Sequence, residues 1–242
     1  FFDDMFSTIS HIFKNPEMLE LGWSMSDYGF YAGGYSFLCV WGGLIVCGML
    51  LDKWGVRVTG SIFVGLMAAG AALVYVTISS PAIVATGKSL YIAYVGCMLF
   101  GLGSEIAGVS VTRSIAKWFK GRNIALAMGL QLAIARFGTA TAILIAPMIV
   151  KQKALGDIYT LSETNKPALI GLAVLAVGAI LWAVFVAMDA KFDRQTGDTD
   201  KVETAEEDKF KISDIWKVLS NPRFLMIAVL CVTFYCCVIR FK

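Results

Sequence analysis

The sequence predicts an all-α membrane protein, and three observations carry that prediction. Of its 242 residues 57 % are hydrophobic and 16 % charged, with a mean hydropathy of +0.70, whereas a soluble domain carries about 25 % charged residues. The apolar residues fall into repeated runs of about 20, the length a helix needs to cross roughly 30 Å of hydrocarbon. Basic residues gather in alternate breaks between those runs, as the positive-inside rule requires of a chain that crosses the membrane repeatedly.

The spans follow in order. The first covers residues 1–13 and ends at Asn15-Pro16, where proline stops a helix. The chain opens in mid-run at Phe1 and stops at Lys242 while still apolar, so both ends are expected to cut through helices. Further runs at residues 28–51, 58–78, 90–115, 124–150 and 167–188 give spans two to six. A polar stretch at 191–208 is too charged for lipid, a short surface helix is expected at 212–219, and Asn221-Pro222 breaks it before a seventh span from 224. The chain thus divides into a transmembrane bundle (1–190, its first helix truncated), a linker (191–222) and the start of a second bundle (223–242). Gly65, Ala68, Ala69 and Ala72 lie inside a span, as expected where small residues bring helices close in lipid.

The loops after spans two, four and six hold thirteen Lys and Arg, those after spans one, three and five hold five. The even loops and the linker are therefore assigned to the cytoplasm. No basic stripe interleaves with aromatics, which argues against nucleic acid. The six cysteines lie in apolar runs without a CxxC pair and read as small buried residues rather than a disulfide or metal framework. No metal-ligand set and no Gly-x-Ser-x-Gly nucleophile is present, so neither an enzyme nor a cofactor is expected. The partners implied are a small-molecule substrate and the lipid bilayer; the sequence assigns no accessory subunit, and it does not decide between a bacterial inner membrane and a lysosomal one, the lack of an Asn-x-Ser/Thr sequon leaning towards a bacterial source.

The short loop between spans two and three reads Gly48-Met49-Leu50-Leu51-Asp52-Lys53-Trp54-Gly55-Val56-Arg57. Gly55 permits a tight turn, and Asp52, at a helix end, is placed to accept bonds from the basic side chains of a neighbouring helix. This loop resembles the signature of the major facilitator superfamily, with Gly48, Leu50, Asp52, Gly55 and Arg57 in place and Lys53 for the usual Arg. The resemblance implies the N-terminal half of a six-plus-six carrier built from related repeats with its substrate site between the halves, and a cytoplasmic gating latch formed by Gly48, Asp52, Lys53, Gly55 and Arg57. A second stretch, Phe100 to Thr139, reads FGLGSEIAGVSVTRSIAKWFKGRNIALAMGLQLAIARFGT and is similar to the lysosomal dipeptide carrier branch and its bacterial relatives. That resemblance implies alternating-access transport of a dipeptide or similar zwitterion. Many proton-coupled members carry an Arg where Cys97 stands, and the helix-five antiporter signature is missing around Pro147; these departures favour facilitated diffusion over proton coupling. A proton-coupled carrier of another organic ion and a membrane receptor or scaffold are the alternatives.

Residue arithmetic points to a site independently. Glu105 lies about 14 residues before the Trp118-Phe119 turn and Arg136 about 17 after it, so at about 1.5 Å per residue both reach mid-bilayer at depths about 4 Å apart. A charge there costs about 2.5–3.5 kcal/mol even on the lenient insertion scale and faces a water-filled cavity in most cases. Small and polar residues flank both, Gly101, Gly108 and Thr112 beside Glu105 and Gly129, Ala133 and Ala140 beside Arg136. The pair is either a substrate clamp or a salt bridge between spans four and five. Asp3 and Asp4 reach similar depth on span one, of which Asp3 is the candidate for the cavity. Tyr31 and Tyr35, four apart on span two, are either cavity residues or packing. His11, near the outer end of span one, suits no midplane proton relay.

Overall fold

The computed structural model describes residues 21–119, 123–149 and 160–196, and parts of 220–233. The elements are α1 (Met25–Leu38), a π-helical turn (Cys39–Gly43), α2 (Leu44–Ser79), α3 (Pro81–Ala85), α4 (Ser89–Trp118), α5 (Ile124–Ile149), α6 (Leu161–Thr164) and α7 (Lys166–Thr196). They belong to one compact unit, residues 1–200; residues 201–242 form a second, whose described residues are helical at 225–227, 229–230 and 232–233. Span one and the expected surface helix lie outside the described residues. Every described regular element is helical, as the sequence predicts.

Local chemistry sets the helix ends. Ser24 opens α1 with a reciprocal capping box: its hydroxyl accepts from the Asp27 amide, and the Asp27 carboxylate accepts from the Ser24 amide at 2.8 Å, satisfying two otherwise orphaned donors. Thr160 and Glu163 repeat the device at α6. Pro81 stands at the start of α3, where its missing N–H costs nothing.

The helical stretch Ser26–Ser79 is 54 residues long, far more than one crossing needs, and it is two limbs. At Gly55 the backbone takes φ 77°, ψ 169°, a conformation that favours glycine. Thr59 Oγ1 then donates to the Leu50 carbonyl at 3.2 Å, nine residues back; in a straight helix that separation is about 13 Å, so the chain has doubled back. Neighbour pairs give the same directions. Phe30 stacks on Tyr94, and Tyr35 lies against Gly101 and Glu105, so α1 and α4 run in parallel. Phe63 and Met67 meet Gly103 while Gly70 and Val74 meet Gly96, so the second limb of α2 runs antiparallel to α4.

The core is where these elements meet. Ala71, Val74, Ile78, Ala93 and Cys97 are sealed from solvent, with Tyr31, Trp23 and Phe100 around them. Glycines allow the contact: a Cβ on Gly70 or Gly103 would strike the backbone of the facing helix. In lipid, where tails are as apolar as leucine, such backbone approach is what holds helices together. By contrast α5 and α7 are thinly covered, with 6 % of each apolar window buried.

Two expectations are corrected. The sixth helix does not end near residue 188 but continues to Thr196, because Asp189 and Asp193 are held by cations from neighbouring helices. The second span is not a plain helix: the turn Cys39–Gly43 is π-helical, with Gly42 at φ 92°, a wide turn of the kind found at functional sites.

Candidate functional site

One end of the unit gathers charge. Asp52, three residues before the Gly55 turn, pairs with Arg113 on α4, both partly open to solvent. Arg57, two residues after the turn, reaches α7, where Nε sits 2.7 Å from Asp189 Oδ2 and the other guanidinium edge pairs with Asp193. Lys117 of α4 adds contacts at 2.9 Å to Asp193 and 3.4 Å to Asp189, and Trp118 Nε1 donates to Asp189 at 2.9 Å. Two buried carboxylates thus face two cations, which balances the charge that burial would otherwise penalise. The cluster ties the two-three loop, the end of α4 and the end of α7 to one face of the bundle, the face assigned to the cytoplasm by the basic residues. Sequence reasoning anticipated Asp52 and Arg57 but missed Asp189 and Asp193. Their signal was present as two acids four apart at a helix end, hidden because only basic residues were counted there. Among the described residues no side-chain bond joins Gly48 or Lys53 to the cluster; Gly55 supplies its turn.

The second grouping lies half-way along α4. Tyr35 donates its phenol to Glu105 Oε1 at 3.0 Å, and the approach of these helices requires Gly101, whose Cβ would overlap the Tyr35 carbonyl. Glu105 is exposed on the side of α4 not covered by α2, in a stripe with Gly108 and Thr112. Thr112 accepts a hydrogen bond from Gln131 of α5 at 3.3 Å. Arg136, five residues further along α5, is exposed, and among the described residues no ion pair joins it to Glu105. Tyr31 lies elsewhere: it is 5 % exposed, tilted against Trp23 at a centroid separation of 5.8 Å, within the core. Asp3 lies outside the described residues. No group of three metal-ligating side chains occurs among the described residues.

A cavity of about 390 Å³ opens between α4 and α7, lined by Ile115, Trp118, Leu181, Trp182 and Phe185 among others. Its walls are almost wholly apolar, so it offers no charge to a zwitterion, and the polar chemistry stays with Tyr35, Glu105 and Arg136.

Comparison with known proteins accords with this arrangement. The family model for the Major Facilitator Superfamily matches residues 1–240. The chain is 25 % identical over 228 residues to the lysosomal dipeptide transporter MFSD1 of Danio rerio, covering 90 % of this chain and 44 % of that protein. It is 27 % identical over 231 residues to that of Mus musculus (88 % and 43 %) and 30 % identical over 165 residues to that of Gallus gallus (64 % and 34 %). It therefore spans less than half the length of these relatives. No solved structure matches it. A doubled-back helix pair at a Gly-x-Leu-x-Asp-x-x-Gly turn, further apolar spans and a match over nearly every residue place this multi-pass integral membrane protein in the Major Facilitator Superfamily.

Proposed function

We propose that the whole protein carries a dipeptide or similar small zwitterion across its membrane by facilitated diffusion with alternating access, Glu105 receiving the substrate's amino group and Arg136 its carboxylate. The observation that carries this reading is the Tyr35–Glu105 hydrogen bond of 3.0 Å at mid-helix. Glu105 has no cation partner among the described residues, so its carboxylate keeps acceptor capacity for an incoming ammonium. A phenol donor on one oxygen fixes its rotamer without neutralising it, and charge-assisted bonds in a dry site are the strong ones. Arg136, exposed on the thinly packed α5, offers a planar five-donor fork that matches a carboxylate. The names of the curated relatives support a dipeptide as substrate. Asp3 joins the proposal on sequence grounds. The core position of Tyr31 supports a packing role for that residue.

The charged end supports a latch reading for Gly48, Asp52, Lys53, Gly55 and Arg57. In that reading the exposed Asp52–Arg113 pair parts as the carrier opens, while the buried Arg57 cluster stays closed.

The test is uptake and binding of radiolabelled dialanine by the full-length protein in proteoliposomes. Arg136→Ala removes the cation proposed to pair with the substrate's carboxylate, and truncating one partner of such an enclosed charge pair costs about 2–5 kcal/mol; at about 1.4 kcal/mol per decade, affinity falls at least tenfold. The Glu105→Gln/Arg136→Gln double variant folds and fails to transport. Near-native uptake by that variant removes both residues from the site, and absence of uptake by the native protein points to a receptor or scaffold.

A further inference from the structure

We propose that Gln131 and Thr112 form a register strap that sets the depth of Arg136 against Glu105 and so tunes the substrate site; this rests on the reading of that pair as substrate ligands. Gln131 Nε2 donates to Thr112 Oγ1 at 3.3 Å, the one side-chain hydrogen bond that joins α4 to α5 among the described residues. Beyond the short connection between Trp118 and Ile124, little packing fixes how far α5 slides along α4: within its apolar window 6 % is buried, and Ala142 is its sealed residue. Lipid gives no hydrophobic preference for one sliding position, so an interhelical polar contact decides it.

The spacing shows what the strap holds. Glu105 lies seven residues from Thr112 and Arg136 five from Gln131, towards the same membrane face because the helices are antiparallel. At about 1.5 Å per residue these offsets are about 10.5 and 7.5 Å, so the strap puts the two charges within about 3 Å in depth. A slip of one helical turn, about 5.4 Å, brings that difference to about 8 Å in one direction and reverses its order in the other. The bonding is directional as well: the Thr112 hydroxyl donates to the Gly108 carbonyl at 3.0 Å, which leaves its lone pairs for Gln131. A serine keeps this arrangement and a valine abolishes it.

Two readouts on the full-length protein test the strap. Dialanine binding reports the site. The distance between spin labels at Tyr91→Cys and Met148→Cys, exposed positions at the other end of α4 and α5, reports register without substrate. Gln131→Ala and Thr112→Val each weaken dialanine binding roughly three- to tenfold and shift or broaden the label distance by several ångströms. The double variant is no weaker than either single one, Thr112→Ser behaves as native, and Gln131→Asn, one methylene short, lies between. An unchanged label distance overturns the strap, whether affinity falls (Gln131 then touches substrate itself) or only thermal stability falls. A shifted distance with unchanged affinity overturns the tuning. If the distance shifts while Arg136→Ala leaves dialanine affinity unaltered, the strap stands and the site reading falls.

Discussion

The α1–α2–α4 region and α5 are both apolar helices of one unit, yet they are built on different terms. In the first, glycines bring backbones into contact and Ala71, Val74, Ala93 and Cys97 are sealed between them. In the second, Phe137, Leu144 and Met148 are each at least 70 % exposed, and among the described residues neither Gly129 nor Gly138 has a neighbour that a methyl group would meet. Glu105 and Tyr35 stand on the tight region, Arg136 on the loose one. The difference teaches that the proposed site stands on two unlike supports, Glu105 on backbones in contact and Arg136 on a helix with little covering it.

The largest expected effect breaks the tie between the tight region and α7. Arg57→Ala leaves Asp189 and Asp193, each about 95 % buried, with the single cation Lys117 and the Trp118 indole N–H. Removal of one partner from a buried pair costs about 3–5 kcal/mol, so thermal unfolding of the full-length protein in detergent moves sharply downward. A midpoint within a degree or two of native shows that the cluster is not holding α7.

Glycine substitutions sharpen the contrast next. Gly101→Ala pushes a methyl into the Tyr35 carbonyl and costs about 1–3 kcal/mol, with loss of the Tyr35–Glu105 contact. Gly129→Ala, on open space, is neutral to within about 0.5 kcal/mol or slightly stabilising. Equal costs at the two positions show that α5 is as tightly covered in the whole protein as α4.

The smallest stability effect belongs to Asp52→Asn. The pair with Arg113 is solvated, with side chains 57 % and 32 % exposed, and exposed pairs contribute at most about 1 kcal/mol. Under the latch reading this variant slows dialanine uptake while equilibrium binding stays within a few-fold. A loss of binding with the fold intact moves Asp52 from gate to site.

Much of this fold was legible because the bilayer dictates it. Spans two to five stand within a few residues of their apolar runs, and the turn at Gly55 followed from a glycine between Asp52 and Arg57. What escaped depended on partners far away in sequence. Asp189 and Asp193 look like the start of a polar linker until Arg57 and Lys117 approach, and only then does a helix to Thr196 make sense. The wide turn at Cys39–Gly43 was hidden because no proline or charge interrupts the apolar run there. At the candidate site, residue counting gives depth and not azimuth. It put Glu105 and Arg136 at one level but could not show that Tyr35 rather than Arg136 takes the Glu105 oxygen, nor that Tyr31 turns into the core towards Trp23.

The Arg57 cluster also has a consequence for how the protein is made. Its acids lie 132 and 136 residues downstream of the arginine, whereas Asp52 and Arg113 are 61 apart. At about 5–20 residues per second on the ribosome, Arg57 emerges roughly 7–26 s before Asp189. During that interval its charge is without those acids, and unpaired basic residues beside a span are what orient it in the membrane. The tie between the Gly55 turn and the end of α7 can therefore close only late in synthesis, after the helices between them.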